Sequence, residues 1–199
     1  FWNRRYEQPG RDRDTDIKAH LKEGAITAES FNGTVLTEPW TQKTGSGGYY
    51  KVYSPYWRAV QANYELPQPV PEPTELRRSS IESNNLEDWD LHPSRPDWSN
   101  GFDGQWAPGE AGAKERLSSF LSKAVSDYKD DRNRPDLEHG TSGLSPHLAF
   151  GEISPTQIWR ATQSKMDAGD VDQKGAHHFL SEVVWRDFAY VLLYNNPDL

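Results

Sequence analysis

Apolar positions divide the chain into three zones. From residue 109 the pattern is helical: Ala113, Leu117, Phe120, Leu121, Ala124, Val125 and Tyr128 recur at i, i+3, i+4, i+7 and form one stripe. The same period returns in Gly175 to Asn195. There Phe179, Leu180, Val183, Val184, Phe188, Val191 and Leu192 make an apolar face that Pro197 brings to a stop. Between these segments lies "LEHGTSGLSPHLAFGEISPTQIWR", Leu137 to Arg160, which predicts two adjacent helix starts. Ser145 reads as an N-cap with Pro146 at the first helical position, and Gly151 as the stop. Ser154, Pro155 and Gln157 read as a second start, the capping box S-x-x-Q.

Before residue 109 the pattern weakens. Asp14 to Glu23 predicts a helix of modest apolar content, with Ile17, Ala19 and Leu21. "AITAESFNGTVL", Ala25 to Leu36, predicts a strand and an Asn32-Gly33 turn. One helix and one or two strands cannot close a core, so residues 1–37 are expected to be the end of an α/β domain whose remainder lies upstream. Residues 38–108 are rich in Pro, Gly, Ser and Trp. They contain a short helix over Tyr53 to Tyr64, then "LPQPVPEPTEL", a semi-rigid linker by composition. A loop this long fits a crossing between domains better than the inside of one. The expected organisation is therefore 1–37, a linker region 38–108, and a helical part 109–199. No internal repeat is evident.

Composition narrows the function classes. No apolar run approaches the roughly 20 residues that span a bilayer, and no cleavable leader opens the chain. The first residue is Phe rather than Met, which predicts an internal piece of something longer. Zero cysteines exclude disulfides and thiolate metal sites and fit a cytoplasmic protein. A net charge of −8 argues against a wholesale nucleic-acid glove but leaves room for a local one. Eight tryptophans are many for so hydrophilic a chain, and large aromatics supply stacking surfaces for rings and bases as well as core.

Two clusters carry candidate chemistry. Thr141, Ser142, Gly143 and Ser145 put hydroxyls and small backbone units just before a helix, which suits a phosphate as well as it suits capping. Glu182, Trp185, Arg186 and Ala189 stand at i, i+3, i+4, i+7 and share a helix face. They are either an exposed Glu–Arg pair beside a tryptophan or a recognition face. In the second case a carboxylate accepts from a base, an indole stacks a ring and a guanidinium holds an anion. The adjacent His177 and His178 point about 100 degrees apart on a helix and read as structural.

The blocks "GTSGLSPHLAFGEISPTQIW" and "FLSEVVWRDFAYVLLYNNPDL" resemble the flavin domain of the DNA photolyase/cryptochrome family, most of all the bacterial class I cyclobutane pyrimidine dimer photolyases. "FWNRRYEQPGRDRD", "SFNGTVLTEPW" and "YYKVYSPYWRA" resemble the segments that leave its N-terminal antenna domain. The resemblance implies a mostly α chain: the tail of a Rossmann-like α/β antenna domain, a long linker, and the first part of an all-helical FAD-binding domain.

It also implies roles. Thr141, Ser142, Gly143, Leu144 and Ser145 match the loop that holds the FAD pyrophosphate, Tyr128 a tyrosine beside the cofactor, and Phe179 an aromatic position against the flavin. Glu182 and Trp185 match the residues that meet a flipped thymine dimer, with Glu182 in the catalytic role. Arg186 and Ala189 lie in the same DNA-facing segment. The implied activity is light-driven splitting of pyrimidine dimers in UV-damaged DNA by electron transfer from reduced FAD. A second chromophore of folate, deazaflavin or flavin type is expected in the whole protein, which is expected to be a monomer. Signalling of the cryptochrome type, repair of the other major pyrimidine photoproduct, and a helical domain without cofactor are the competing readings. One departure stands out: the family commonly has arginine or lysine where this chain has Gly143.

Overall fold

The computed structural model describes residues 1–71, 73–75, 82–92, 94–102 and 104–198, with Asn100 by its backbone alone. Glu72 and Leu76 of the expected linker segment Leu66–Leu76, and Leu199, lie outside them. Two compact units emerge, residues 1–66 together with 108–199, and residues 67–107. The second holds two short 3₁₀ turns, Leu86–Trp89 and Ser99–Gly101, with Trp98 set edge-on to Phe102.

The first unit is mostly helical, as the sequence predicts. Its strands are β1, Trp2–Asn3, and β2, Ser30–Phe31, which pair in parallel. The expected strand over Ala25 to Leu36 is thus only two residues long. After Phe31 the chain turns: the Asn32 side chain accepts the N–H groups of Thr34 and Val35 and donates to the Val35 carbonyl. An asparagine that satisfies the backbone locally competes with a sheet ladder. Helix α1, Gln8–Glu23, begins six residues before the expected start, because Pro9 is tolerated in a first turn. Helix α2, Tyr53–Asn63, matches its expected span and buries Tyr56, Ala59 and Val60.

Helices α3, Glu110–Lys123, and α4, Tyr128–Asp131, carry the predicted stripe into the core, with Ala113, Leu117, Phe120, Leu121, Val125 and Tyr128 buried. Helix α5, Ser145–Phe150, ends at Gly151 as expected, but Ser145 is its first residue and Leu144 occupies the cap position without a side-chain bond. Helix α6, Pro155–Asp167, has the predicted capping box: Ser154 Oγ accepts from the Gln157 N–H, and Gln157 Oε1 from the Ser154 N–H. Helix α7, Gln173–Asn195, starts two residues early because Asp172 caps it by accepting the Gly175 N–H at 2.9 Å.

Helix α7 is the axis of the unit, packed against α2, α4 and α6. Its burial is broad, from Ala176, Phe179 and Leu180 through Val183 and Val184 to Phe188 and Val191, as befits a helix apolar on several sides. Each Val, Leu or Phe among them contributes about 1.5–3 kcal/mol when fully buried. The approach to α3–α4 is close at Gly175: a Cβ there would lie 2.2 Å from the Val125 carbonyl oxygen and 2.3 Å from that of Ser126.

Candidate cofactor and recognition site

A cavity of about 190 Å³ opens where α4, α5, the loop before it and α7 converge. Its lining brings together five residues implied for the cofactor: Tyr128, Ser142, Leu144, Ser145 and Phe179. Glu182 and Arg186, expected on the recognition face, reach the same cavity, and Leu148, Ile158 and Val183 complete it. Residues 128 and 186 are far apart in sequence, and it is the packing of α4 on α7 that joins them. Thr141, Gly143, Trp185 and Ala189 do not line the cavity; Thr141, Trp185 and Ala189 are exposed and Gly143 is half-buried.

The aromatic wall is ordered by edge contacts. Phe120, Tyr128 and Phe179 form a triangle, with centroids 5.5 Å apart for Phe120–Tyr128 and for Tyr128–Phe179, and 4.7 Å for Phe120–Phe179. Burial pushes the Tyr128 phenol up, the Arg132 guanidinium opposes the shift, and the ring stays a neutral surface at physiological pH. The loop itself is held from within, the Leu144 N–H donating to Ser142 Oγ at 3.4 Å.

On α7 the helix-face partners are not each other. Glu182 forms an ion pair with Arg132, which follows α4, and Arg186 donates to the Thr34 carbonyl and lies over the Tyr190 ring at 5.2 Å. The expected intrahelical Glu–Arg pair is replaced by two longer-range contacts. Arg132 also lies 5.7 Å from the Tyr128 ring centroid and 3.3 Å from His178 Nε2, and its guanidinium is held charged first of all by the Glu182 hydrogen bond. His178 therefore joins this cluster, whereas His177 is exposed. Spacing along the chain carries no signal for Arg132, since it meets α7 only through space.

Trp185 is 44% exposed, yet it is fixed. Its indole stacks on Tyr53 of α2 with centroids 3.7 Å apart and planes 13° from parallel, and meets the Phe188 edge at 5.7 Å. The Tyr53 hydroxyl is near both Ser181 Oγ, at 2.7 Å, and the Ser181 carbonyl, to which it donates at 2.5 Å. Burial is the main reason its phenol is pushed up to about 12. One indole face is thus covered. Tyr53 is a second residue that the sequence pattern missed, because its partner is 128 positions away.

Behind this face Asp187 is fully buried, its Oδ2 accepting the Thr37 N–H at 2.9 Å. Burial pushes the carboxyl up to about 7, against the opposing pull of the Thr37 N–H, Arg186 and the Leu36 N–H. A larger cavity of about 390 Å³ lies between α3 and α6, but its floor is Leu117, Leu121, Ile153 and Ala161. Its two lysines pair with exposed acids, Lys114 with Glu110 and Lys165 with Asp170. The smaller cavity, which gathers hydroxyls, aromatic rings and charge, is the one with chemistry to offer.

Among the described residues no helix is long and apolar enough to cross a membrane. The family model for DNA photolyase matches residues 1–74. A protein of Agrobacterium fabrum named deoxyribodipyrimidine photo-lyase is 40% identical over all of this chain and 41% of its own length. A Synechococcus protein of the same name is 38% identical over all of this chain and 42% of its own. The crystal structure of a bacterial class III photolyase from Agrobacterium tumefaciens superposes with a TM-score of 0.90 at 39% identity, over 99% of this chain and 41% of that one. That relative is of class III, where the sequence blocks most resemble class I. The chain spans about two fifths of the length of these relatives. The family model covers the first 74 residues, and the named relatives extend the likeness to DNA photolyases over the whole chain.

Proposed function

We propose that this chain is part of a light-driven DNA-repair lyase that holds FAD and splits cyclobutane pyrimidine dimers. The observation that carries the reading is the shared cavity: the residues implied for FAD and Glu182 of the recognition face line one space. At about 190 Å³ it is smaller than the roughly 300–1,000 Å³ that encloses a whole ligand, so these residues hold one part of a dinucleotide. The residues suit that part. Ser142 and Ser145 offer hydroxyl donors for a diphosphate, Tyr128 and Phe179 a flat apolar wall, and Leu144, Ile158 and Val183 exclude water. In this reading residues 1–37 end the α/β antenna domain and 109–199 begin the FAD-binding domain. A folate-, deazaflavin- or flavin-type antenna belongs to the whole protein, which works as a cytoplasmic monomer.

When bound, reduced FAD supplies the light-driven electron. The chain supplies positioning. Trp185, its indole covered on one face by Tyr53, offers a stacking surface for a base flipped from the duplex, worth roughly 1–3 kcal/mol. Glu182 accepts a hydrogen bond from that base. Arg132, paired with Glu182, keeps the carboxylate in place until the base arrives.

The test is a dimer-containing oligonucleotide assayed in light and dark with the whole protein, beside its Glu182→Gln and Trp185→Ala variants. Flavin absorbance should co-purify with all three. Light should repair the dimer. Trp185→Ala should weaken dark binding, and Glu182→Gln should lower repair per absorbed photon more than it lowers affinity. Flavin without light-dependent repair would favour the cryptochrome-type signalling reading.

A further inference from the structure

The departure at Gly143 has a structural counterpart. Gly143 has φ 61°, in the left-handed region, and a Cβ built there would lie 2.6 Å from Arg116 Nη1, 3.3 Å from its Cζ and 3.4 Å from its Cδ. The space that a side chain at 143 would occupy is filled by a guanidinium delivered from α3. The two segments are joined by the fold alone: α3 packs on α6, and the loop 141–144 leads through α5 into α6.

We infer that Arg116 is the cation of the phosphate-binding loop, supplied from α3 in place of a basic side chain at position 143; this rests on the FAD reading given above. The charge balance of the site supports it. Arg132 pairs with Glu182 and Arg186 with the Thr34 carbonyl, whereas the Arg116 guanidinium is the one that lies directly against the loop at Gly143. The loop hydroxyls of Thr141, Ser142 and Ser145 donate hydrogen bonds but carry no charge, and α5, only six residues long, adds little of its own. A diphosphate is doubly anionic, and in a chain of net charge −8 it needs a local cation. A planar guanidinium matches phosphate oxygens with two parallel N–H donors. The left-handed backbone at 143 completes the arrangement: an L side chain there is strained by about 1–2 kcal/mol, so glycine lets Arg116 lie flat on the loop.

The experiment measures the FAD dissociation constant of the whole protein after removal and re-addition of FAD, with circular dichroism as a check of fold. Arg116→Ala is expected to weaken FAD about ten- to hundredfold, equivalent to about 1.4–2.8 kcal/mol. Arg116→Lys keeps the stem and the charge but loses the fork, and should fall between. Gly143→Arg added to Arg116→Ala should recover part of the loss, because the vacated space now admits the new side chain. Gly143→Arg alone should bring no gain. Wild-type affinity in Arg116→Ala overturns the proposal. So does a loss that neither lysine nor the Gly143→Arg exchange moves, since that marks Arg116 as purely structural. If Arg116→Ala fails to fold, Arg116→Lys decides: affinity equal to wild type overturns it. A wild-type protein that takes up no FAD fails the underlying reading instead, and is told apart because no variant then differs from it.

Discussion

Replacing Asp187 by asparagine should stabilise the protein above neutral pH and flatten its pH dependence. The carboxyl is fully buried behind α7, with its Oδ2 on the Thr37 N–H and no partner for Oδ1 among the described residues. Desolvation lifts it from the ordinary 3.8 to about 7. At 1.36 kcal/mol per pH unit, that rise of about three units corresponds to about 4 kcal/mol. The sign follows from proton counting. Between the two values the folded state binds a proton that the unfolded state has released, so stability is greatest below about pH 4 and declines until about pH 7. Asparagine resembles the protonated carboxyl and keeps an oxygen for Thr37. Its amide N–H₂ is left short of an acceptor, which costs about 1 kcal/mol. The net expectation is a variant more stable by about 3 kcal/mol at pH 8 and within about 1 kcal/mol of wild type at pH 4.5. Urea unfolding at the two pH values measures this, with equal m-values as the check that only stability has changed. Parallel pH profiles for the two proteins, or a less stable variant at pH 8, would refute the reasoning.

Two further positions probe the packing around α7. Gly175→Ala should cost about 3 kcal/mol or more, since its Cβ would meet two backbone carbonyl oxygens at 2.2 and 2.3 Å, neither of which can rotate away. Thermal unfolding should show a drop of about 6–12 °C, and an unchanged midpoint would count against the close approach. Tyr53→Phe keeps the stack on Trp185 and loses the bonds to Ser181, so it should cost about 1 kcal/mol of stability and leave dark binding of dimer DNA within about twofold. Tyr53→Ala should weaken that binding about tenfold by freeing the indole; equal binding by both variants would show that Tyr53 does not position Trp185.

The helices are legible where local chemistry and packing agree. The α6 capping box, the α3 stripe and the span of α2 are each written within a dozen consecutive residues, and the fold honours them. The strand is shorter than its pattern because apolar alternation in Ala25–Leu36 outlasts the pairing: Asn32 satisfies the following backbone and ends the ladder after Phe31. Composition points to Ser145 as a cap, although the turn through Gly143 sets the helix entry at Leu144. The site divides the same way. Tyr128, Ser142, Phe179 and Glu182 are reachable from family blocks and helix spacing. Tyr53 and Arg132 are not, because a residue that meets its partner across the fold leaves no periodic trace near it.

The contacts that hold residues 34–37 have a consequence for biosynthesis. Thr37 binds Asp187 across 150 positions and the Thr34 carbonyl binds Arg186 across 152. At about 5–20 residues per second, the ribosome needs roughly 8–30 s to deliver α7 after Thr37 has been made. Throughout that interval Leu36 and Tyr56, both buried in the core that α7 completes, have no α7 to pack on. The nascent segment around residues 34–56 therefore stays exposed until α7 emerges, and slowing elongation before α7 should lengthen that exposure.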